Sequence, residues 1–248
     1  MLVFLSVFFL LVALSTPISI ALGVTSIVMV LTQTDLKLMV VAQRMFTGID
    51  SFPLMAIPFF ILSGHLMNAG GTTQRLITFC NALVGFLRGG LANISIVGNM
   101  IMAGISGSST ADASSLGKIF IPAQVKEGYD LSFSVAITAV SSVLAVVIPP
   151  SILMIVWGGT LSVSIGALFL AGIVPGMLLA GVQMATVHGY AKLRGYPTSV
   201  RSTFGEFVSA VGVAVPALLT PLIIIGGKVF GWFTATESAA IAVLYAGT

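Results

Sequence analysis

Charged side chains are so rare in this chain, and so unevenly spaced, that long stretches of it cannot be kept soluble in water. Ten Lys/Arg and seven Asp/Glu make up 7% of the 248 residues, whereas a soluble domain has roughly 25%. The stretch from Leu2 to Leu31 contains none of them, and about 20 apolar residues suffice for a helix to cross a bilayer. These features exclude a soluble enzyme and a nucleic-acid-binding protein, and they predict an all-α integral membrane protein.

The apolar segments between the charges predict a multi-span helical bundle. Pro17 should kink the first segment, which we expect to be one tilted helix. Because the last apolar segment starts near Thr234 and the sequence ends within it, we expect a fragment that alone neither folds stably nor transports. The expected segments are 1–51 (first membrane helix and an amphipathic surface helix from Asp35 to Asp50), 52–90 (two membrane helices), 91–125 (re-entrant hairpin), 131–160 (broken helix), 164–191 (membrane helix), 192–206 (basic cytoplasmic connector) and 207–248 (a further, truncated membrane segment).

The basic residues predict the orientation, because cytoplasmic loops carry an excess of Lys and Arg. If the stretch from Leu91 to Val125 enters and leaves on one side, seven basic residues share one face and two lie on the other. If that stretch crosses fully, the bias shrinks to four against five. The distribution therefore favours a re-entrant hairpin and a periplasmic N-terminus. The seven are Lys37, Arg44, Arg88, Lys126, Lys192, Arg194 and Arg201, and the two are Arg75 and Lys228.

The stretch from Gly104 to Ser115 consists almost entirely of small residues, since ten of its twelve residues are Gly, Ser, Thr or Ala. The apolar stretches on either side are each too short to cross about 30 Å of hydrocarbon. Two half-helices that meet at an irregular tip fit better, because such backbone is tolerated where it is buried in protein or lines a watery cavity. Ser106, Ser108, Ser109 and Thr110 offer hydroxyl oxygens there, and Ser108 or Ser109 can cap the second half-helix. The alternative is that small residues only allow close helix packing.

The helix that follows the hairpin is interrupted by Pro149-Pro150. The two prolines remove two amide donors, so the carbonyls of Ala145 and Val146, with neighbours through Ile148, are free to bind something else. Hydroxyl groups lie on one face of the same helix, at positions i, i+3 and i+4. Together these oxygens suit a hard cation such as Na⁺, and the alternative is a structural kink satisfied by water or Ser. The hydroxyl face consists of Thr138, Ser141 and Ser142.

Asp112 is the one carboxylate in the hairpin, and an acid inside a membrane is a functional hypothesis by default. A proton relay, an ion ligand, a partner for Lys118 and a helix-start Asp favoured by the dipole all remain open. Glu237 follows Thr234 by three residues, which predicts a capping box. Two histidines and one cysteine exclude a structural zinc site. Because the sequence has no catalytic motif, we expect no catalytic residues, no enzyme activity and no metal other than sodium.

Four motifs, in order along the chain, resemble the large membrane subunit of the tripartite ATP-independent periplasmic (TRAP) transporters. They are residues 46–64, Gly104-Ile-Ser-Gly-Ser108 with Ala111-Asp112, Ile148-Pro-Pro-Ser151, and Gly231-Trp-Phe-Thr-Ala-Thr-Glu237. The resemblance implies an elevator-type secondary transporter of two inverted repeats, of which 207–248 would begin the second. It also implies Na⁺-driven transport of organic acids, such as C4-dicarboxylates or sialic acid, across the bacterial inner (cytoplasmic) membrane. The implied partners are a periplasmic substrate-binding protein, a small four-helix membrane subunit and the surrounding lipid.

The resemblance further implies one Na⁺ site where the hairpin tip meets the broken helix, with the substrate beside the tip. Ion-binding residues would be Ser106, Ser108, Ser109, Ser142, Ala145, Ile148 and Pro150, and substrate-adjacent residues would be Gly107, Thr110, Asp112, Ser141 and Ser151. Many relatives are more apolar at 108–110, so the choice of ligating hydroxyl stays open. The organic acid also stays open, and the alternative function is another ion-coupled membrane transporter or a channel component.

Overall fold

The computed structural model describes residues 2–34, 36–198 and 202–247, without the side chain of Val229. The described residues form helices and no strand, which confirms the predicted all-α class. Two residues used in the predictions above, Asp35 in the surface helix and Arg201 in the basic connector, lie outside the described residues. The chain divides into two units, residues 1–51 and 52–248.

In the first unit, the apolar segment that was predicted to be one helix forms two, α1 and α2. Helix α1 ends because Ser15 adopts a positive φ of 59° and the amide of Thr16 donates to the carbonyl of Leu11 at 3.1 Å, a C-terminal capping pattern. Pro17 then stands directly before the next helix as its N-cap residue. The chain at Pro17 therefore has a break between two helices instead of the expected kink within one. The helices of this unit are α1 (Leu2–Ala13), α2 (Ile18–Gln33) and α3 (Met39–Ile49).

The second unit holds all the segments that the sequence assigned to a functional site. After a 3₁₀ turn at Phe52–Met55 its helices are α4 (Ala56–Ala69), α5 (Thr72–Val84), α6 (Gly90–Ser106), α7 (Ser109–Lys126), α8 (Leu131–Ser142), α9 (Leu144–Val147), α10 (Ile152–Leu161), α11 (Ile165–Arg194), α12 (Phe204–Val229) and α13 (Ala235–Ala246). Four segments of the described chain are long and apolar enough to cross a membrane: Phe52–Ala69, Leu131–Leu161, Ile165–Arg194 and Phe204–Lys228. The connector expected from residue 192 starts later, because α11 continues to Arg194.

Helices α6 and α7 form a hairpin whose tip is only Gly107 and Ser108. The side-chain amide of Gln124, near the end of α7, donates to the carbonyl of Leu91, near the start of α6, at 3.4 Å. The two helices therefore run antiparallel. The end of the hairpin where the start of α6 lies beside the end of α7 is its base. With 17 and 18 residues, each is about 26 Å long. The expected irregular stretch is mostly helical, because Ser108 caps α7 and the following residues continue the helix.

Helix α6 lies at the centre of this unit, since 14 of its 17 residues are buried. It packs against α5, α7, α8, α9 and α11, and α4 and α12 also contact it. The hairpin base lies at the C-terminal end of α11, where Arg194 and Asp130 form a salt bridge of 3.5 Å. The opposite end of α11 lies near Lys228, whose Cε is 2.8 Å from the position that a Cβ on Gly166 would take. The unit thus has a base end and a second end marked by Lys228.

Candidate functional site

The hairpin tip contacts the Pro149-Pro150 break through backbone atoms. The amide of Ile152 donates to the carbonyl of Gly107 at 3.1 Å. Gly107 has a φ of +59°, and a Cβ at this position would lie 2.5 Å from the carbonyl oxygen of Pro150. Only glycine combines this conformation with so close an approach. The two polar segments that stand out in the sequence therefore meet, and Gly107 is the residue that lets them.

Two further helices hold the tip region from other sides, again through glycine. A Cβ on Gly64 of α4 would lie 3.4 Å from the Cα of Ser106. A Cβ on Gly104 of α6 would lie 2.8 Å from the Cβ of Pro221 on α12. The distance at Gly104 leaves no room for an added methyl group, and a Cβ at Gly64 would already be in van der Waals contact. The hairpin tip is therefore closely fitted against α4, α12 and the broken helix.

Asp112 is buried under the tip and is bound there by Ser106. The hydroxyl of Ser106 donates to Oδ1 of Asp112 at 2.6 Å and accepts from the amide of Ser108 at 3.2 Å. Oδ2 of Asp112 is buried and has no hydrogen-bond partner. Within the described part of the chain the only salt bridge joins Arg194 and Asp130, so a pairing of Asp112 with Lys118 is not observed. Asp112 thus has one carboxylate oxygen available to a cation or a proton.

The other hydroxyl groups of the tip differ in their surroundings. Ser108 is the residue that caps α7, because its Oγ accepts from the amide of Ala111 at 3.4 Å. Its Oγ also lies 3.2 Å from Oγ1 of Thr110. Ser109 is half-buried and Thr110 is exposed. The sequence left open whether Ser108 or Ser109 caps the second half-helix, and in the structure Ser108 is the cap.

The broken helix uses one of its freed carbonyls locally. The hydroxyl of Ser151 donates to the carbonyl of Val146 at 2.8 Å, so the expectation that this carbonyl is free is wrong. The carbonyl of Ala145 lacks its usual helical donor, because residue 149 is proline and has no amide hydrogen. Ser142 is buried, and its hydroxyl donates to the carbonyl of Ala139 at 2.8 Å.

A buried asparagine that the sequence reasoning missed joins α6 to α8. The side-chain amide of Asn99 donates to Oγ of Ser141 at 2.8 Å and to the carbonyl of Ser95 at 2.9 Å. On the far side of α8, Gln183 of α11 donates to the carbonyl of Val140 at 3.2 Å. Ser141 therefore faces α6. The signal that could have revealed this contact is an amide side chain inside an apolar helix, which is costly unless it is hydrogen-bonded.

A groove of about 560 Å³ opens beside the tip between α4 and α7. Asp112 and Ser106 are among the residues that line it. His65 of α4 lies on a wall of this groove. The wall from α4 consists of Ile61, Gly64, His65 and Asn68, and the wall from α7 consists of Ala111, Asp112, Ser114, Ser115, Lys118 and Ile119.

Comparison with known proteins decides the family. The family model described as "Tripartite ATP-independent periplasmic transporter, DctM component" matches residues 5–247. The chain belongs to the TRAP large-permease family. It is similar to the sialic acid TRAP transporter large permease SiaM of Vibrio cholerae serotype O1, with 42% identity over 83% of this chain and 48% of that protein.

Two other TRAP relatives are similar over more of the chain. The isethionate TRAP permease DctMQ of Oleidesulfovibrio alaskensis is 42% identical over 96% of this chain and 38% of that protein. The C4-dicarboxylate large permease DctM of Rhodobacter capsulatus is 37% identical over 97% of this chain and 58% of that protein. The chain thus spans about half the length of the curated relatives it matches. These relatives are permease components and not enzymes.

The base of the hairpin in this TRAP permease is closed by aromatic side chains. Tyr129 and Tyr196 lie with ring centroids 4.3 Å apart, and Phe133 stacks on Tyr190 at 4.8 Å. The hydroxyl of Tyr196 donates to Oδ2 of Asp130 at 3.0 Å. Burial, together with the carboxylate of Glu127, raises the pKa of Tyr129 to about 12. Burial and the nearby carboxylate of Asp130 also raise the pKa of Tyr196, so both phenols stay protonated at neutral pH.

Proposed function

We propose that this chain forms part of the large permease of a sodium-coupled TRAP transporter that carries an organic anion across the bacterial inner membrane. Its relatives are named for sialic acid, isethionate and C4-dicarboxylates, all of which are organic anions. A periplasmic binding protein would deliver the substrate, and a small four-helix membrane subunit would accompany the permease. The observation that carries the proposal is the backbone contact between the hairpin tip and the Pro149-Pro150 break.

The oxygens around this contact can act as ligands for a cation. Ser106 and Ser142 each direct the hydroxyl hydrogen at a protein oxygen. Each hydroxyl oxygen therefore keeps a lone pair available, although that of Ser106 also accepts from the amide of Ser108. The carbonyls of Ala145 and Pro150 lie on the broken-helix side, and Ser108 and Ser109 lie at the tip. Hydroxyl and carbonyl oxygens are ligands that hard cations prefer. We assign the coupling Na⁺ to this place, with Ile148 as a further backbone ligand and with the substrate beside Gly107, Thr110, Asp112 and Ser151.

We also propose that the hairpin is re-entrant and that its base faces the cytoplasm. Arg88 and Lys126 flank the hairpin at its base, and Arg194 pairs there with Asp130. This clustering supports the orientation, since Lys and Arg are enriched on the cytoplasmic side. A periplasmic N-terminus is part of the same proposal. The elevator-type movement implied by the resemblance is part of the proposal. Distances between spin labels on α7 and on the small membrane subunit, measured with and without Na⁺, would test it, and unchanged distances would contradict it.

The sodium site is tested by removing its hydroxyl oxygens in the complete transporter. Ser106→Ala and Ser142→Ala each leave a partly desolvated cation short of a ligand, at a cost of about 1–3 kcal/mol. We therefore expect the Na⁺ concentration for half-maximal uptake to rise roughly 5- to 150-fold. The measurement is uptake of radiolabelled organic anion in proteoliposomes as a function of Na⁺ concentration.

Ser134→Ala provides the matched control, because Ser134 is also a buried serine of α8 but lies two turns before Ser142. We expect its Na⁺ dependence to equal that of the wild type. An unchanged Na⁺ dependence in both test variants would show that the sodium site lies elsewhere. Uptake that neither saturates nor requires Na⁺ would favour a channel component over a coupled transporter.

A further inference from the structure

One positively charged side chain, that of Lys118, lies on the walls of the groove between α4 and α7. It follows Asp112 and Ser115 along the wall formed by α7. Six residues separate Lys118 from Asp112, which corresponds to about 9 Å along the helix axis. The ammonium and carboxylate groups form no salt bridge, since within the described residues only Arg194 and Asp130 do so. Lys118 therefore presents to the groove a positive charge that is not neutralised by a paired carboxylate.

A positive charge in this position has to be stabilised by water or by a bound anion. Charged side chains in the membrane part of a protein are costly, and they usually face a water-filled cavity or bind an ion or a substrate. The groove has a volume of about 560 Å³, within the range of roughly 300–1,000 Å³ that small-molecule sites occupy. It is therefore large enough for an organic acid, and one end of it reaches Ser106 at the hairpin tip.

The wall from α4 adds hydrogen-bond donors. Oδ1 of Asn68 accepts from the hydroxyl of Thr73 at 2.6 Å, which fixes the amide and leaves its nitrogen as a donor. His65 lines the same wall and carries a ring N–H. Donors on one wall and an ammonium group on the other match a molecule with an acid group and further polar oxygens.

We propose that Lys118 binds the carboxylate or sulfonate of the transported organic anion, while His65 and Asn68 donate hydrogen bonds to other oxygens of the same molecule. The inference rests on the proposed transport function and names the residue that supplies the positive charge to the substrate.

The test measures anion binding to the purified complete permease with its small subunit, without the binding protein. The probes are N-acetylneuraminate, succinate and isethionate, each added in NaCl, and the readout is the shift of the unfolding temperature with anion concentration. A ligand that binds only the folded state stabilises it, and the stabilisation grows with the logarithm of the ratio of ligand concentration to Kd. Lys118→Met and Lys118→Gln should weaken anion binding about 10- to 100-fold, because a charge-assisted hydrogen bond is lost.

Three controls separate this role from a structural one. Lys118→Arg keeps the charge and should retain anion binding. Lys126→Met removes a lysine at the base of the same helix and should leave anion binding unchanged. Stabilisation by Na⁺ alone should persist in the Lys118 variants, because the groove wall at Lys118 is separate from the proposed sodium ligands.

The outcomes distinguish the inference from the function on which it depends. If the wild-type transporter takes up none of the three anions in proteoliposomes with its binding protein, the proposed function fails and the inference fails with it. If the wild type takes up one of them and both neutral Lys118 variants bind that anion with unchanged affinity, only the inference is overturned. Uptake by the wild type, together with weakened anion binding and preserved Na⁺ stabilisation in those variants, supports it.

Discussion

The two ends of the α6–α7 hairpin are held by opposite kinds of contact. At the base, large side chains fill the space, and the phenol of Tyr196 and the carboxylate of Asp130 are paired. At the tip, backbone lies directly on backbone through Gly107, and one oxygen of the buried Asp112 has no partner. Packed rings of this kind resist change, whereas a buried carboxylate with an unpaired oxygen can gain free energy by binding a cation. The comparison indicates that the base positions the hairpin and that the tip binds.

Adding a single methyl group at the tip should have the largest effect. In Gly107→Ala the new Cβ would lie 2.5 Å from the carbonyl oxygen of Pro150, so the tip must move away from the break. We expect Na⁺-dependent uptake to be abolished while the protein is still inserted. The measurement is uptake in proteoliposomes with equal amounts of reconstituted transporter.

A glycine at the base provides the matched control. Gly128 has a φ of +91° but has no atom within 4 Å of its added Cβ, so Gly128→Ala carries only the backbone strain of about 1–2 kcal/mol. We expect uptake to persist. Equal loss of uptake in both variants would show that backbone strain, and not the contact with Pro150, explains the effect at Gly107.

The two ends should also face opposite solutions, which cysteine labelling can test. Leu193, beside the hairpin base, and Trp232, beyond the end marked by Lys228, are 85% and 72% exposed. In intact cells an impermeant thiol reagent should label Trp232→Cys and leave Leu193→Cys unlabelled. The native Cys80 is buried and serves as the background in the unmutated protein. Labelling of Leu193→Cys from outside would overturn both the orientation and the cytoplasmic base.

The smallest effect is expected from the exposed hydrogen bond at the base. Tyr196→Phe removes the hydroxyl that donates to Asp130 but retains the ring that lies against Tyr129. We expect a loss of about 0.5–1.5 kcal/mol in stability, measured as a lower unfolding temperature, with unchanged Na⁺ dependence of uptake. Tyr190→Phe keeps the ring that stacks on Phe133 and provides the control. A changed Na⁺ dependence in Tyr196→Phe would mean that contacts at the base also affect Na⁺ binding at the tip.

Local chemistry explains which parts of the fold could be predicted. Pro149-Pro150 interrupts its helix wherever it is placed, because proline lacks an amide hydrogen. The pattern Thr234-Ala-Thr-Glu237 likewise forms the predicted capping box, in which the amide of Thr234 donates to Glu237 at 2.7 Å. The break between α1 and α2 was harder to predict, since it depends on the positive φ of Ser15, a conformation that serine adopts only occasionally.

Part of the candidate site could likewise be predicted from the sequence, and part of it could not. Its residue types were visible in the sequence, because hydroxyls, a carboxylate and paired prolines are unusual within apolar segments. The partners of those residues were not visible. Ser151 donates to the carbonyl of Val146, and Ser141 is bound by Asn99 from a helix 42 residues earlier in the chain.

The sequence by itself determined that this chain is a helical membrane protein of the TRAP large-permease family, because charge spacing and local motifs act over a few residues. Only the tertiary structure decided that Gly107 lies against Pro150, that Asp112 keeps one oxygen free, and that Lys118 and His65 line one groove. The physical reason is that a side chain's direction follows from its own helix, whereas its partner follows from how separate helices pack. That packing depends on close contacts, such as those at Gly64, Gly104 and Gly107, between residues far apart in the chain.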